Sequence, residues 1–366
     1  RRRPPQRCGR FPGVVAGFPP HCGVRWRPEG VAKSVGGDGY GWSVVVSEAP
    51  VQAKQKVRWG RVALFYGLAF GWVCLIAAGL YLSGNRDLGA GQGLSIVTVV
   101  LALLYMPAPL VAALVVERLD RRSALIRTTF AGFGRKLPAL LVVTVAVIAA
   151  LLLGMLGLTY VLGNVLDVSA AGRVLFSQAD LLANALLLAP SMDADQVAQV
   201  SANVPSLWPL LGLAYGGALI AGLTVNGLFA FGEEYGWRGW LADELRPLGA
   251  FWANVIIGVL WGVWHGPLIL LGFNYAGYGR IGTAFMVAWC VPFSFLLWRA
   301  RQVTGSLLAP AVLHGAVNGF AGVFLIVLVD PHPLLAAPAG LVGAAATAAV
   351  AALFWLLTRK RAGRTG

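Results

Sequence analysis

The sequence predicts an all-α, polytopic bundle of membrane helices, and three observations lead to this fold class. Of its 366 residues, 58% are hydrophobic and 12% are charged, which lies outside the range of ordinary soluble domains. The hydrophobic residues form long runs, and Lys and Arg collect between alternate runs. We therefore expect a multi-pass protein of the cell membrane.

The chain divides into four segments by composition. Residues 1–55 are rich in Gly, Pro and Arg without a sustained apolar period, which indicates a disordered or non-native extension. We expect membrane helices and an external loop in 56–204, and a membrane core with the polar motifs in 205–330. The last transmembrane helix and a basic tail are expected in 331–366.

Apolar runs long enough to cross a bilayer predict the helices. A hydrocarbon core about 30 Å thick requires roughly 20 apolar residues in a helix. Runs near this length lie at 62–82, 94–116, 137–163, 207–231, 251–273, 281–298, 305–329 and 338–358. We therefore expect about eight transmembrane helices.

The distribution of positive charge predicts the orientation. When both termini are placed in the cytoplasm, Arg86, Arg173 and Arg280 are the only Lys or Arg residues left in external loops. Cytoplasmic loops accumulate these residues, so the bias favours the N-in and C-in topology. The net charge of +14 follows this membrane pattern and gives no reason to expect a nucleic-acid partner.

The cysteines do not indicate a metal centre or a disulfide framework. Cys8, Cys22, Cys74 and Cys290 form no CxxC pair, and Cys74 and Cys290 fall within the apolar runs. Any chemistry is therefore expected from other side chains.

The stretch GEEYGWRGW follows the fourth apolar run and carries adjacent carboxylates. On a helix, residues four apart share a face, so Glu234 and Arg238 are expected to pair. Glu233 is turned about 100° away and has no basic partner in its own helix, so we expect it to face a cavity. A solvated cytoplasmic cap is the alternative, because charges at the ends of spans are common.

Histidines inside the apolar runs give a second indication of chemistry. His265 lies in WGVWHGPLIL and His314 in APAVLHGAVNGF, and intramembrane histidines tend to face the bundle interior. Asn318 follows His314 by four residues and shares its helical face. Together they can stabilise negative charge on a carbonyl oxygen, although each residue can also serve helix packing alone. His332, in DPHPL, is expected to be a loop residue.

Three motifs then resemble a known family. EEYGWR fits EExxxR, WGVWH fits FxxxH with Trp261 in place of Phe, and HGAVN fits HxxxN. Their order and separation resemble the CAAX prenyl protease and bacteriocin-processing (CPBP, Abi) family of intramembrane glutamic endopeptidases. The resemblance covers roughly residues 205–330.

The resemblance implies roles for the catalytic residues. Glu233 and His265 would activate a water that attacks the scissile amide. His314 and Asn318 would stabilise the oxyanion that forms. The preferred mechanism uses no cofactor.

The resemblance further implies that Glu234 and Arg238 support the site. Zinc is kept as an alternative, with Glu233, His265 and His314 as ligands and an open fourth position. The chain lacks HExxH, in which two histidine ligands share one helical face, so the glutamate mechanism is preferred.

The function expected from the resemblance is a CAAX-type endopeptidase that acts from the cytoplasmic side. Its partners would be the lipid bilayer and a lipid-modified or membrane-associated peptide or membrane-protein substrate. A proton-coupled transporter is the alternative from another class, because intramembrane ionisable groups commonly relay protons. No correspondence between the two halves of the chain supports a transporter repeat. A non-catalytic scaffold with the same fold is the third alternative.

The depths of the polar residues predict an irregular connection before the fifth span. If this helix began at Phe251, His265 would lie about 21 Å along it, whereas Glu233 would lie near the inner boundary. We therefore expect residues 241–253 to run along the interface. Glu233, His265 and His314 are then expected to converge on one cavity.

Overall fold

The structure is a computed structural model, and it describes residues 56–88, 101–121, 125, 129–130, 132–187 and 192–359. The expected extension at 1–55 lies outside the described residues. The same holds for the first part of the expected second span and for nearly all of the basic tail.

Helices make up most of the described chain. The α-helices are α1 (Trp59–Leu82), α2 (Ala108–Leu119), α3 (Phe133–Thr159), α4 (Gln178–Leu187), α5 (Ala194–Asn203), α6 (Leu207–Leu223), α7 (Val225–Glu234), α8 (Ala242–Leu245), α9 (Gly249–Trp264), α10 (Gly266–Ile269), α11 (Gly279–Thr304), α12 (Leu308–Phe320), α13 (Val323–Val327) and α14 (Leu341–Thr358). π-Helical turns occupy Leu101–Tyr105, Tyr160–Val165 and Tyr235–Leu241, and 3₁₀ turns occupy Ser169–Ala171 and Arg246–Leu248. The strands β1 (Arg173–Val174) and β2 (Leu328–Val329) pair antiparallel.

The all-α, polytopic class is confirmed. Within the described residues, 6 helical stretches are long and apolar enough to cross a membrane, or 7 if the bent pair of α5 and α6 forms one span. Eight were expected from the apolar runs. The second expected span, 94–116, begins outside the described residues and continues as Leu101–Tyr105 and α2.

The fourth expected span is interrupted, which the apolar run does not reveal. Thr224 separates α6 from α7 with φ −125° and ψ −113°, which is not a helical conformation. A Cβ atom added to Gly227 would lie 1.8 Å from the carbonyl oxygen of Gly222, so this turn requires glycine. The continuous helix expected over 207–231 is therefore wrong.

Glycines set a close contact between α9 and α11. A Cβ atom at Gly258 would lie 2.6 Å from the Cα of Val291, and one at Gly262 would lie 2.5 Å from the Cα of Val287. Small residues four apart allow the backbones of membrane helices to approach in this way. The contact fixes the part of α9 that carries Trp261.

The connection between α7 and α9 is irregular, as expected. It consists of a π-helical segment, α8 and a 3₁₀ turn, and α9 begins at Gly249, where φ is +80°. Phe251 and Trp252 are exposed at the start of α9. Their location at the membrane interface stays a prediction.

The long loop before α6 contains the surface helices α4 and α5. Asp193 and Gln196 form a capping box at the start of α5. β1 and β2 tie this loop to the end of α13, with Arg173 opposite Val329.

Candidate active site

The charged residues of EEYGWR lie inside the protein. Glu233 is 2% exposed, and Glu234 and Arg238 are 0% exposed. In a solvated cap, water would reach these charged groups and no protein partner would be needed. Buried charges, in contrast, need partners within the protein. The cap alternative is therefore excluded.

Glycines allow the segment with the EEYGWR motif to pack inside the protein. Tyr235–Leu241 forms a π-helix, a form that is rare and frequently found at functional sites. A Cβ atom at Gly236 would lie 2.5 Å from Cβ of Pro109, and one at Gly232 would lie 2.9 Å from Cα of Pro107. The motif therefore packs directly against the start of α2.

Glu234 and Arg238 form the expected pair. Arg238 Nη1 lies 3.0 Å from Glu234 Oε1. The same oxygen lies 2.9 Å from Nδ1 of His314, so His314 donates a second hydrogen bond to it. Glu234 thus joins α7 to α12. The helical spacing indicated the first contact, whereas no local pattern indicated the second.

Glu233 has a different environment. Its Oε2 accepts a hydrogen bond from Nε1 of Trp261 at 2.8 Å. Within the described residues, Glu233 forms no ion pair. The expected division between an ion-paired glutamate and one without a basic partner is therefore observed.

His265 follows the last residue of α9 and is 9% exposed. Its Nδ1 lies 2.8 Å from the carbonyl oxygen of Trp261. A carbonyl can only accept, so Nδ1 carries the hydrogen, and in the neutral ring Nε2 is an acceptor. The ring lies against Tyr105 and Trp264, with centroid separations of 6.0 and 5.0 Å.

The side chain of Trp261 contacts Glu233, Arg238 and both histidines of the site. Its ring centroid lies 5.8 Å from that of His265 and 5.3 Å from that of His314. The Arg238 guanidinium carbon lies 4.1 Å from the Trp261 ring centroid, within the range of a cation–π contact. With the bond to Glu233, these contacts place Glu233, Arg238, His265 and His314 around one side chain. Their convergence on one cavity stays a prediction.

Asn318 is placed differently. It lies one turn after His314 on α12 and is exposed. Its side chain makes no hydrogen bond to another described residue, so bonding to a neighbouring helix is not observed. Its expected role beside His314 stays a prediction.

The described residues do not form a three-ligand metal site. No group of three His, Cys, Asp or Glu side chains in this part of the chain is arranged to hold a metal ion. The alternative zinc ligands, Glu233, His265 and His314, do not fit zinc in this conformation. We therefore derive no step through a metal.

Arg301, on α11, supports the site from a distant part of the chain. Its guanidinium donates to the backbone carbonyl of Arg238 and pairs with Asp243 at 3.0 Å. This contact anchors the π-helical segment, and no local sequence pattern indicates it.

Further polar contacts tie the π-helical segment and α8 to the residues at the start of α1 and at the end of α2. Tyr235 donates to Oε2 of the buried Glu117 at 2.9 Å. Arg58 bonds Glu244 and Asp120, and the hydrogen bond to Glu244 raises the pKa of Arg58 above its usual value. The predicted cytoplasmic ends of α1, α2 and α8 are thereby held together.

An open apolar groove with a volume of about 690 Å³ lies beside the segment that carries His265. Val263, Gly266 and Pro267 line it on one side, and Ala78 of α1 and Thr283 of α11 line it on the other. Its surface suits an apolar group.

The fold and site define a polytopic membrane protein with a buried glutamate, a Glu–Arg pair and two histidines around a tryptophan. Residues 215–320 match the family model for type II CAAX prenyl endopeptidase, Rce1-like. This match contains all three motifs. The resemblance to the CAAX prenyl protease and bacteriocin-processing family is therefore confirmed for this segment.

A curated relative agrees with the family match. A segment of 44 residues is 41% identical to CAAX prenyl protease 2 of Methanococcus maripaludis. The segment covers 12% of the present chain and 16% of the relative. The chain thus matches about a sixth of the relative's length, and both comparisons are to peptide-bond hydrolases.

Proposed function

We propose that the protein is an intramembrane endopeptidase in which Glu233 and His265 activate a water molecule. The buried Glu233 carboxylate carries this proposal, because it has no ionic partner in the described chain and shares Trp261 with two histidines. Intramembrane carboxylates of this kind are costly to bury and usually functional.

The hydrogen bonds suggest how water is activated. Trp261 occupies Oε2 of Glu233, so Oε1 is the oxygen proposed to accept a proton from water. Nε2 of His265 can accept the second hydrogen of that water and orient it. The water oxygen attacks the scissile carbonyl carbon, and Glu233 passes the proton to the leaving amine.

His314 can stabilise the oxyanion in one protonation state. Its Nδ1–H is donated to Glu234, so Nε2 of the neutral ring has no hydrogen to donate. In the imidazolium form, Nε2 is a donor, and the Glu234 carboxylate stabilises that cation. We propose that His314 acts as the imidazolium and that the Asn318 amide is the second donor.

We propose a lipid-modified or membrane-associated peptide as substrate, in keeping with the prenyl endopeptidase family model. The apolar groove beside the His265 backbone can take an apolar group, and its lining by Tyr81 and Arg280 places it toward the side predicted to be external. We further propose that the site acts from the cytoplasmic side, because the distribution of Lys and Arg favours that orientation.

The test is peptide cleavage by the purified protein in lipid nanodiscs, with quenched fluorogenic peptides that carry or lack a C-terminal lipid. Glu233→Gln should lower turnover by about 10²–10⁴-fold, the usual contribution of a general base. Glu117→Gln is the matched control, because it alters another buried glutamate and keeps an acceptor for Tyr235. Wild-type turnover by Glu233→Gln would exclude the proposed base.

The same assay separates the alternatives. Treatment with a zinc chelator is expected to leave turnover unchanged, whereas loss that added zinc restores would favour the metal-dependent protease. Proton uptake into liposomes without cleavage of any peptide would favour the transporter.

A further inference from the structure

Trp261 stands where the family motif has phenylalanine. An indole differs chemically from a phenyl ring by its N–H donor. Here that donor is used, because Nε1 lies 2.8 Å from Oε2 of Glu233 and Trp261 is fully buried. The replacement therefore gives the site a hydrogen bond that phenylalanine cannot form.

The backbone of the same residue holds the second proposed catalytic group. The carbonyl oxygen of Trp261 accepts the Nδ1–H of His265 at 2.8 Å. This bond sets the tautomer in which Nε2 of the neutral ring is an acceptor. One residue thus contacts Glu233 through its side chain and His265 through its backbone.

The indole ring is held firmly by its neighbours. It stacks on Phe293 with a centroid separation of 5.7 Å and lies under the Arg238 guanidinium at 4.1 Å. Gly262, the next residue, packs against the backbone of Val287. Because the ring is fixed in this way, its N–H points in one direction. A donor with a fixed direction can orient the Glu233 carboxylate.

Neighbouring tryptophans show that this bond is not a general result of burial. Trp237 and Trp289 are also buried. Their Nε1 atoms have no hydrogen-bond partner among the residues that the structure describes. The N–H of Trp261 therefore has a contact that these two lack.

We propose that Trp261 is a positioning residue, whose indole N–H holds Oε2 of Glu233 so that Oε1 faces the attacking water. This inference rests on the proposed function for its catalytic meaning. Trp261 itself touches no reacting atom. Its indole N–H restricts the Glu233 carboxylate to one orientation. Its backbone carbonyl accepts from Nδ1 of His265, which leaves Nε2 of that ring as an acceptor beside the carboxylate.

The kinetic test uses Trp261→Phe, which keeps an aromatic ring and removes the N–H. Because small misplacements of catalytic groups are costly, kcat should fall by about 10- to 100-fold, while KM changes by less than about 2-fold. Trp289→Phe and Trp237→Phe are matched controls, since each removes an N–H that has no partner in the described chain. Equal losses of kcat in the three variants would overturn the proposal.

A second measurement does not depend on activity or on the folding of Trp261→Phe. In the protein labelled with ¹⁵N at its indole nitrogens, Glu233→Gln should shift one indole N–H resonance, because a neutral amide is a weaker acceptor than a carboxylate. Trp261→Phe, if folded, should lack that same resonance. Spectra in which no indole resonance moves in Glu233→Gln would overturn the bond.

The two proposals fail in different ways. If Glu233→Gln cleaves peptide normally but shifts the indole resonance, the hydrogen bond exists and the proposed base is wrong. If Glu233→Gln abolishes cleavage and no resonance shifts, Glu233 remains the base and Trp261 does not position it.

Discussion

Glu234 holds His314 through a hydrogen bond of 2.9 Å between Oε1 and Nδ1, across 80 residues of sequence. The same oxygen is paired with Arg238, so one buried carboxylate joins a cation and an imidazole. This arrangement orients the ring in the manner of a carboxylate behind a catalytic histidine.

Glu234→Gln tests this relationship. The amide oxygen can still accept a hydrogen bond, but the charge that stabilises an imidazolium is lost. We expect kcat to fall by about 10²-fold or more, and Tm to fall as well, because the buried Arg238 loses its charged partner. Steady-state kinetics on the fluorogenic peptide measure the change, with Glu117→Gln as control. Unchanged kcat would show that Glu234 serves structure alone.

The main effect expected of Arg238→Met is a lower free energy of unfolding. It removes the cation from a pair in which both side chains are at most 1% exposed, and it leaves the Glu234 charge with His314 as its partner. Breaking a buried pair in this way costs about 3–5 kcal/mol of unfolding free energy.

Thermal unfolding of Arg238→Met in detergent measures this loss as a lower Tm. Arg246→Met is the control, because Arg246 is exposed and such surface changes stay within about 0.5 kcal/mol. Equal Tm values for the two variants would contradict the expected cost.

Gly262→Ala tests the contact between α9 and α11. The added methyl group would lie 2.5 Å from the Cα of Val287, so one of the backbones must move. Overpacking of this kind costs about 1–3 kcal/mol. We expect a lower Tm and, because Trp261 precedes Gly262, a lower kcat as well.

Gly67→Ala is the matched control for this helix contact. No atom lies within 4 Å of a Cβ added at Gly67 on α1. Alanine favours a helix over glycine by about 1 kcal/mol, so stability should be kept or increased. A similar loss in both variants would show that close packing is not the cause.

Asn318→Ala separates a catalytic role from a structural one. Asn318 is exposed and makes no hydrogen bond within the described chain, so its loss should leave Tm unchanged. If its amide binds the oxyanion, kcat should fall by about 10²–10³-fold. Asn203→Ala on α5 is the control, and equal kcat values would remove Asn318 from the proposed mechanism.

Local spacing accounts for what the sequence could predict. Apolar runs predicted the helical bundle, and the i,i+4 geometry of an α-helix predicted the Glu234–Arg238 pair. The absence of an ion pair at Glu233 within the described residues also followed from its lack of a basic residue one turn away on the same helix. These features depend on residues close in the chain.

Contacts between distant segments could not be predicted in the same way. The bond from His314 to Glu234 and the bond from Arg301 to the Arg238 carbonyl depend on how the helices pack. Trp261 appeared as an aromatic substitution, and its N–H bond became visible only in three dimensions. The break at Thr224 lies inside an unbroken apolar run, which hydropathy alone reads as one span.

The break at Thr224 also determines how closely α12 can approach α6 and α7. Where α6 ends and α7 begins, backbone N–H and C=O groups lose the partners that a continuous helix would supply. At membrane depth, such groups are tolerated where protein or water satisfies them. α12, which carries His314, packs against both helices at this break. A Cβ atom added to Gly315 of α12 would lie 2.4 Å from the backbone nitrogen of Gly227, so the break lets the helix that carries His314 pack directly against the main chain of α7.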